Sequence, residues 1–238
     1  MIGILVQLGL SWVIVRVYEK RVRDVLGLLP TWERARDIAL FLLVTGACSA
    51  SGFLFKMAFA LERWELNPSF SWGLLASGLW WNVKSVLFEE LIFRGVLFYI
   101  VLRQLGTVRA VLISSAAFGA YHWFSQGSFG DIPMMAQTFL LAGAMGVLLA
   151  LGYVRTGSLY IPVAIHLGWN AAQSVLFSNG NIGSQVLVPA LPVPEVSVSY
   201  PEFFLIMGFP MVSALVYNYM LLRARAESWL ERDMAFVA

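Results

Sequence analysis

Apolar residues fall into seven long blocks, roughly 1–15, 37–61, 72–102, 108–124, 133–153, 158–178 and 202–222, separated by shorter polar stretches. A helix needs about 20 largely apolar residues to cross about 30 Å of hydrocarbon, so each block predicts a membrane span. The blocks are too long and too uniformly apolar for the alternating strands of a barrel. The expected fold is therefore all-α: a polytopic helical membrane protein with about seven transmembrane helices around an intramembrane polar site. The chain has no internal repeat and no low-complexity tract, so residues 1–238 read as a single transmembrane domain.

Composition agrees with the pattern. Hydrophobic residues make up 59% of the chain and charged residues 13%, against about a quarter charged in typical soluble domains. A soluble chain of this length could not hide so much apolar surface, so the lipid bilayer is the first expected partner. A net charge of +2 is too small to suggest nucleic acid. Cys48 is the only cysteine and lies within an apolar block, which excludes an intramolecular disulfide and leaves a packing role. The N-terminal block has no basic residues before it and no small-residue cleavage site after it, so it reads as a retained first span.

Basic residues fix the expected orientation. The connectors after blocks 1, 3 and 5, together with the C-terminal tail, carry Arg16, Lys20, Arg21, Arg23, Arg34, Arg36, Arg103, Arg109, Arg155, Arg223, Arg225 and Arg232. The connectors after blocks 2, 4 and 6 carry only Arg63. Twelve against one places the first set in the cytoplasm and the N-terminus outside, with a prokaryotic plasma membrane as the expected location. Residues 125–133 read as a turn-rich linker. Residues 179–200, rich in proline and valine, read as a connector, with a cover over an active site as the alternative.

Polar residues inside the blocks carry the candidate chemistry. The third block contains Glu89, Glu90 and Arg94 among Leu, Ile, Phe and Val. Each charge at mid-bilayer costs about 2.5–3.5 kcal/mol on insertion scales, so these side chains must face the bundle interior or a water cavity. Glu90 and Arg94 are spaced i,i+4 and predict an ion pair. Glu89 lies about 100° around the helix, on a stripe with Ser85 and Asn82, and stays available for chemistry. Lys84, in the same block, points away from both glutamates and has no assigned role.

The only two histidines also fall in apolar blocks: His122 four residues after Phe118, and His166 four residues before Asn170, with Gln173 extending that polar stripe. Glu89 is 14 positions from Arg103, and His122 is 13 from Arg109. At 1.5 Å per residue both lie about 20 Å from the same cytoplasmic turn. His166 and Asn170 are 11 and 15 positions from Arg155, or about 16 and 22 Å. Four polar residues from three spans thus share one depth. A carboxylate, two imidazoles and a carboxamide with no nucleophilic serine or cysteine suggest activation of water. The glutamate serves as base, histidine shares that role or orients the water, and His with Asn donates to a developing oxyanion.

These motifs, Glu89-Glu90-x-x-x-Arg94-Gly95, Phe118-x-x-x-His122 and His166-x-x-x-Asn170, resemble those of the CPBP intramembrane proteases. That family is also called Abi, or CAAX protease and bacteriocin-processing, and includes the Rce1-type prenyl proteases. The resemblance covers roughly residues 72–175. It implies an intramembrane endopeptidase acting on a membrane-associated protein or peptide, possible CAAX-type processing included. In that reading Glu89 and His122 activate water, His166 and Asn170 stabilise the oxyanion, and Glu90 and Arg94 support the site. A zinc ion on Glu89, His122 and His166 would have enough ligands. It would also leave Glu90, weakened as a base by facing Arg94, as the only base, so a metal-free reaction without a cofactor is the expectation.

Other intramembrane proteases do not fit, since the chain lacks HExxH and GxSG, and the GSFGD at 127–131 is not GxGD. A catalytically inactive scaffold or immunity-type member and a proton-coupled transporter are the alternatives, because intramembrane Glu, Arg and His also mark proton relays. Reporter fusions test the layout: those after residues 30, 106 and 225 should read cytoplasmic, and those near 66, 128 and 190 external. A cytoplasmic reading at residue 190 would break the seven-span arrangement.

Overall fold

The computed structural model describes residues 2–18, 25–179 and 182–233. The expected topogenic residues Lys20, Arg21 and Arg23 lie outside them, as do the side chains of Arg225 and Arg232. Helix dominates. In chain order the elements are α1 (Ile2–Tyr18), α2 (Trp32–Phe59), β1 (Trp64–Leu66), α3 (Trp72–Phe93), α4 (Val96–Ser125), α5 (Ile132–Thr156), α6 (Tyr160–Asn170), a π-helical turn (Ala171–Leu176), β2 (Leu187–Pro189), α7 (Tyr200–Met207) and α8 (Phe209–Asp233).

All seven apolar blocks are helical, but they do not form seven uninterrupted spans. Among the described residues, α2 and α5 are long and apolar enough to cross a membrane, and α7 with α8, bent by 49°, makes a third if counted together. The block at 72–102 is divided between α3 and α4, and α4 itself has a non-helical residue at Gly106, between Arg103 and Arg109. The block at 158–178 changes from α to π winding after Asn170. α1 is only 17 residues long. Glycines mark two of these breaks, at Gly95 and Gly106, which a count of apolar length does not register.

Element ends follow local chemistry. Asp131 caps α5 by accepting the Met134 N–H at 3.0 Å, with Pro133 in the first turn. Ser199 and Glu202 form a capping box on α7. Many large apolar side chains on the long helices, including Leu43, Leu54, Leu112 and Leu140, are exposed. On this scale that exposure fits lipid rather than water, and the protein is an integral membrane protein.

The chain forms two compact units: residues 1–38, 87–163 and 218–238 in the first, and 39–86 and 164–217 in the second. The first is built around Val15, Leu26, Val96, Phe98, Ala110 and Tyr153. Its connector at 25–31 is fastened to the turn at 157–160. Ser158 Oγ donates to the Gly27 carbonyl at 2.8 Å, the Leu159 N–H to Leu26 at 3.1 Å, and the Tyr160 hydroxyl to Leu28 at 2.9 Å. Arg34 closes the same connector by donating to Gly27 and Leu29.

In the second unit the segment 179–200 is more than a connector. β2 pairs antiparallel with β1, with Glu65 opposite Val188. Asn67 Nδ2 donates to the carbonyls of Ser184 and Gln185. Three paired residues per strand are too few for sequence patterning to announce a ribbon. The connector after block 1 therefore meets the one after block 5, and the connector after block 2 meets the one after block 6.

Candidate functional site

The helix that carries the paired glutamates stops inside the apolar block. The Arg94 N–H still reaches the Glu90 carbonyl at 2.8 Å, but Gly95 leaves the helical region (φ −80°, ψ −149°). A Cβ on Gly95 would run into the Leu91 carbonyl, so the backbone can turn here only with glycine. The Phe93 carbonyl, at the end of the helix, accepts from Ser114 Oγ at 2.7 Å. That bond matters in an apolar setting, where an unsatisfied carbonyl is costly.

The break delivers Arg94 into a closed socket. Its guanidinium and the Glu90 carboxylate are both 0% exposed and lie 3.3 Å apart. Nη2 donates to the Gly146 carbonyl of α5 at 3.2 Å. The Phe118 ring lies under the guanidinium, 4.2 Å from its centroid. A Cβ at Gly146 would come within 3.3 Å of Nη2 and of the Phe118 ring. The i,i+4 pair expected from sequence is present, and its surroundings come from α4 and α5.

Glu89 takes the other direction, towards His122. The Glu89 Oε2 and His122 Nε2 atoms are 4.0 Å apart, and the two side chains are 11% and 12% exposed. His122 Nδ1 lies 2.8 Å from the Phe118 carbonyl. A carbonyl can only accept, so Nδ1 carries the proton and, in the neutral ring, Nε2 presents its lone pair towards Glu89. The Phe118 and Tyr121 rings flank the imidazole, with centroids at 4.4 and 5.6 Å. Phe118 thus holds Arg94 with its ring and His122 with its carbonyl.

At 4.0 Å the carboxylate oxygen and the imidazole nitrogen are too far apart for a direct hydrogen bond. An oxygen about 2.8 Å from each atom closes the triangle. The pair can polarise such a water from two sides.

His166 and Asn170 belong to the second unit, one turn apart on α6, with His166 buried and Asn170 half-buried. Asn170 is the last residue before the winding changes to π, a local feature often found at functional sites. Gln173, expected to extend their stripe, instead donates to Ser49 Oγ at 3.0 Å. On α3, Asn82 Nδ2 donates to the Gly78 carbonyl, and Lys84 is half-buried. Among the described residues no three His, Cys, Asp or Glu side chains are grouped to hold a metal ion.

Two contributors escaped the sequence reading. Gly146 acts through its carbonyl, which no residue type advertises. Ser114 is one of many small residues in α4, and its partner becomes visible only once the break at Gly95 is known.

The family model described as "Type II CAAX prenyl endopeptidase Rce1-like" matches residues 71–172. No curated protein and no solved structure matches the chain. The matched segment contains Glu89, Glu90, Arg94, Phe118, His122, His166 and Asn170.

The socket around Arg94 predicts a strongly coupled pair. Arg94→Ala leaves a buried carboxylate without its cation and should destabilise by roughly 3–5 kcal/mol. The double variant Glu90→Gln, Arg94→Met should recover much of that loss. Thermal unfolding of the purified single and double variants measures the coupling, and additive losses would argue against the pair.

Proposed function

Because residues 71–172 belong to the Rce1-like family of type II CAAX prenyl endopeptidases, we propose that the chain is an intramembrane endopeptidase that cleaves a membrane-associated protein or peptide with water activated by Glu89 and His122. The observation that carries this reading is the Glu89–His122 pair, 4.0 Å apart, with the imidazole fixed by the Phe118 carbonyl. CAAX-type processing is the substrate class closest to the family's description.

Glu89 takes a proton from a water hydrogen-bonded to His122 Nε2, and the resulting hydroxide attacks the scissile carbonyl carbon. The C=O electrons move onto oxygen, and His166 and Asn170 donate hydrogen bonds to that oxyanion. This last role is the one implied by the resemblance of His166-x-x-x-Asn170 to the family's motif. When the oxyanion collapses, the C–N bond breaks. The proton held by Glu89 passes to the departing nitrogen, leaving a carboxylic acid and an amine. Glu90 does not serve as the base, because it is engaged by Arg94.

The seven-span layout, with the N-terminus outside and the C-terminus cytoplasmic, is part of the proposal. Two observations support it. The first connector touches the turn after the fifth block and the second touches the sixth, as alternating crossings require. The non-helical backbone at Gly106, flanked by Arg103 and Arg109, is where that layout puts the turn between the third and fourth crossings. A span interrupted by glycine or by a π turn is tolerated where neighbouring groups satisfy the freed backbone.

Glu89→Ala and His122→Ala should each lower cleavage by at least about 100-fold while membrane levels stay near normal. Comparing membrane peptidomes of cells carrying wild-type and Glu89→Ala protein identifies the cleavage products. No difference between them, or substantial activity in either purified variant, would refute the assignment.

We propose further that the reaction needs no bound metal. Glu89, His122 and His166 would meet the ligand count of a catalytic zinc, but Glu90, engaged by Arg94, would then be the only carboxylate left to act as base. Elemental analysis of active enzyme should find no stoichiometric zinc, and exhaustive chelation should leave activity intact. Activity abolished by chelation and restored by zinc would overturn the metal-free step without touching the protease assignment.

A further inference from the structure

Within the second unit, α2 and α6 approach closely through small residues. A Cβ on Gly168 would meet the Leu42 carbonyl, and a Cβ on Gly46 would lie 3.4 Å from the Gly168 carbonyl. This contact brings backbones together without fixing rotation, because glycine faces present no shape to interlock. A chain of hydrogen bonds supplies what the glycines lack. Asn179 Nδ2 donates to Gln173 Oε1 at 3.5 Å, Gln173 Nε2 to Ser49 Oγ at 3.0 Å, and Ser49 Oγ to the Trp169 carbonyl at 3.2 Å. Ser49 is fully buried, so its hydroxyl has no water to turn to.

The chain of bonds ends one residue before Asn170, where α6 gives way to the π turn. A regular helix orients a terminal side chain through its own backbone ladder. At an α-to-π junction the following turn does not continue that ladder, and an outside bond to the last α-helical turn becomes the fixing point. α2 therefore holds the end of α6 through Ser49, and the π turn returns Gln173 to the same hydroxyl.

We propose that Ser49 and Gln173 are positioning residues that set the direction of the Asn170 carboxamide. The inference rests on the reading of Asn170 as an oxyanion donor. Neither Ser49 nor Gln173 is expected to touch substrate. A donor displaced by about 1 Å can cost as much as two orders of magnitude in rate, so the loss should fall on kcat and leave KM nearly unchanged.

The test uses the full chain in lipid nanodiscs and a quenched peptide carrying a cleavage sequence mapped by the peptidome comparison. Ser49→Ala and Gln173→Leu should each lower kcat about tenfold or more, with KM within about twofold. In an Asn170→Ala background Ser49→Ala should cause no further loss of kcat, a readout that general destabilisation would not give. Wild-type kcat in both Ser49→Ala and Gln173→Leu overturns the inference and leaves the protease reading in place. An equal proportional loss with and without Asn170 also overturns it. Should Ser49→Ala fail to fold, Gln173→Leu at its half-buried position is read alone in the same two backgrounds. Wild-type kcat in Asn170→Ala, or a peptidome comparison that maps no cleavage, refutes the underlying reading of the site, and the inference falls with it.

Discussion

A charged guanidinium with no exposure to solvent is the constraint around which the first unit is organised. Arg94 has to be answered on all sides, and each answer fixes a different element. Glu90 answers from the same helix, Gly146 through its carbonyl from α5, and Phe118 with a ring face from α4. Removing any one leaves a buried charge short of compensation, which costs more than the intact arrangement contributes. Such a socket is weak as a source of stability and strong as a means of specifying one arrangement of three helices. His122 profits directly, because the residue that carries the ring under Arg94 also carries the carbonyl that orients the imidazole.

The two adjacent glutamates face different partners from a single helix. One turn of about 100° sends Glu90 to the arginine and Glu89 to the histidine. If both faced Arg94, neither would be suited to take a proton from water. The pairs at 3.3 Å and 4.0 Å differ in the same sense. The first is fully enclosed, and the second is a longer contact whose side chains keep 11% and 12% exposure.

Much of this was legible in the sequence because the rules involved are local. The i,i+4 spacing of Glu90 with Arg94, and of Phe118 with His122, translates into contact on any helix. Charges inside apolar blocks had to be partnered. The breaks were not legible. Gly95 and Gly106 occur among 20 glycines, and only the approach of the Leu91 carbonyl marks the first as a stop. The change to π winding after Asn170 has no composition signal, and neither has the bond from Gln173 to Ser49. The ribbon between 64–66 and 187–189 depends on pairing across more than a hundred residues, which periodicity does not register.

The early stop at Phe93 also has an electrostatic side. Peptide dipoles along α3 add up to a partial negative charge at its C-terminal end, equivalent to about half an elementary charge. Arg94 is the first residue past that end. An uninterrupted span through 102 would have placed the same arginine mid-helix, where the dipoles of preceding and following turns cancel locally. Because α4 starts at Val96, its positive N-terminal end lies just beyond the same arginine and offsets much of that field. The charge of Arg94 is therefore met chiefly by the Glu90 carboxylate at 3.3 Å, the Gly146 carbonyl at 3.2 Å and the face of the Phe118 ring.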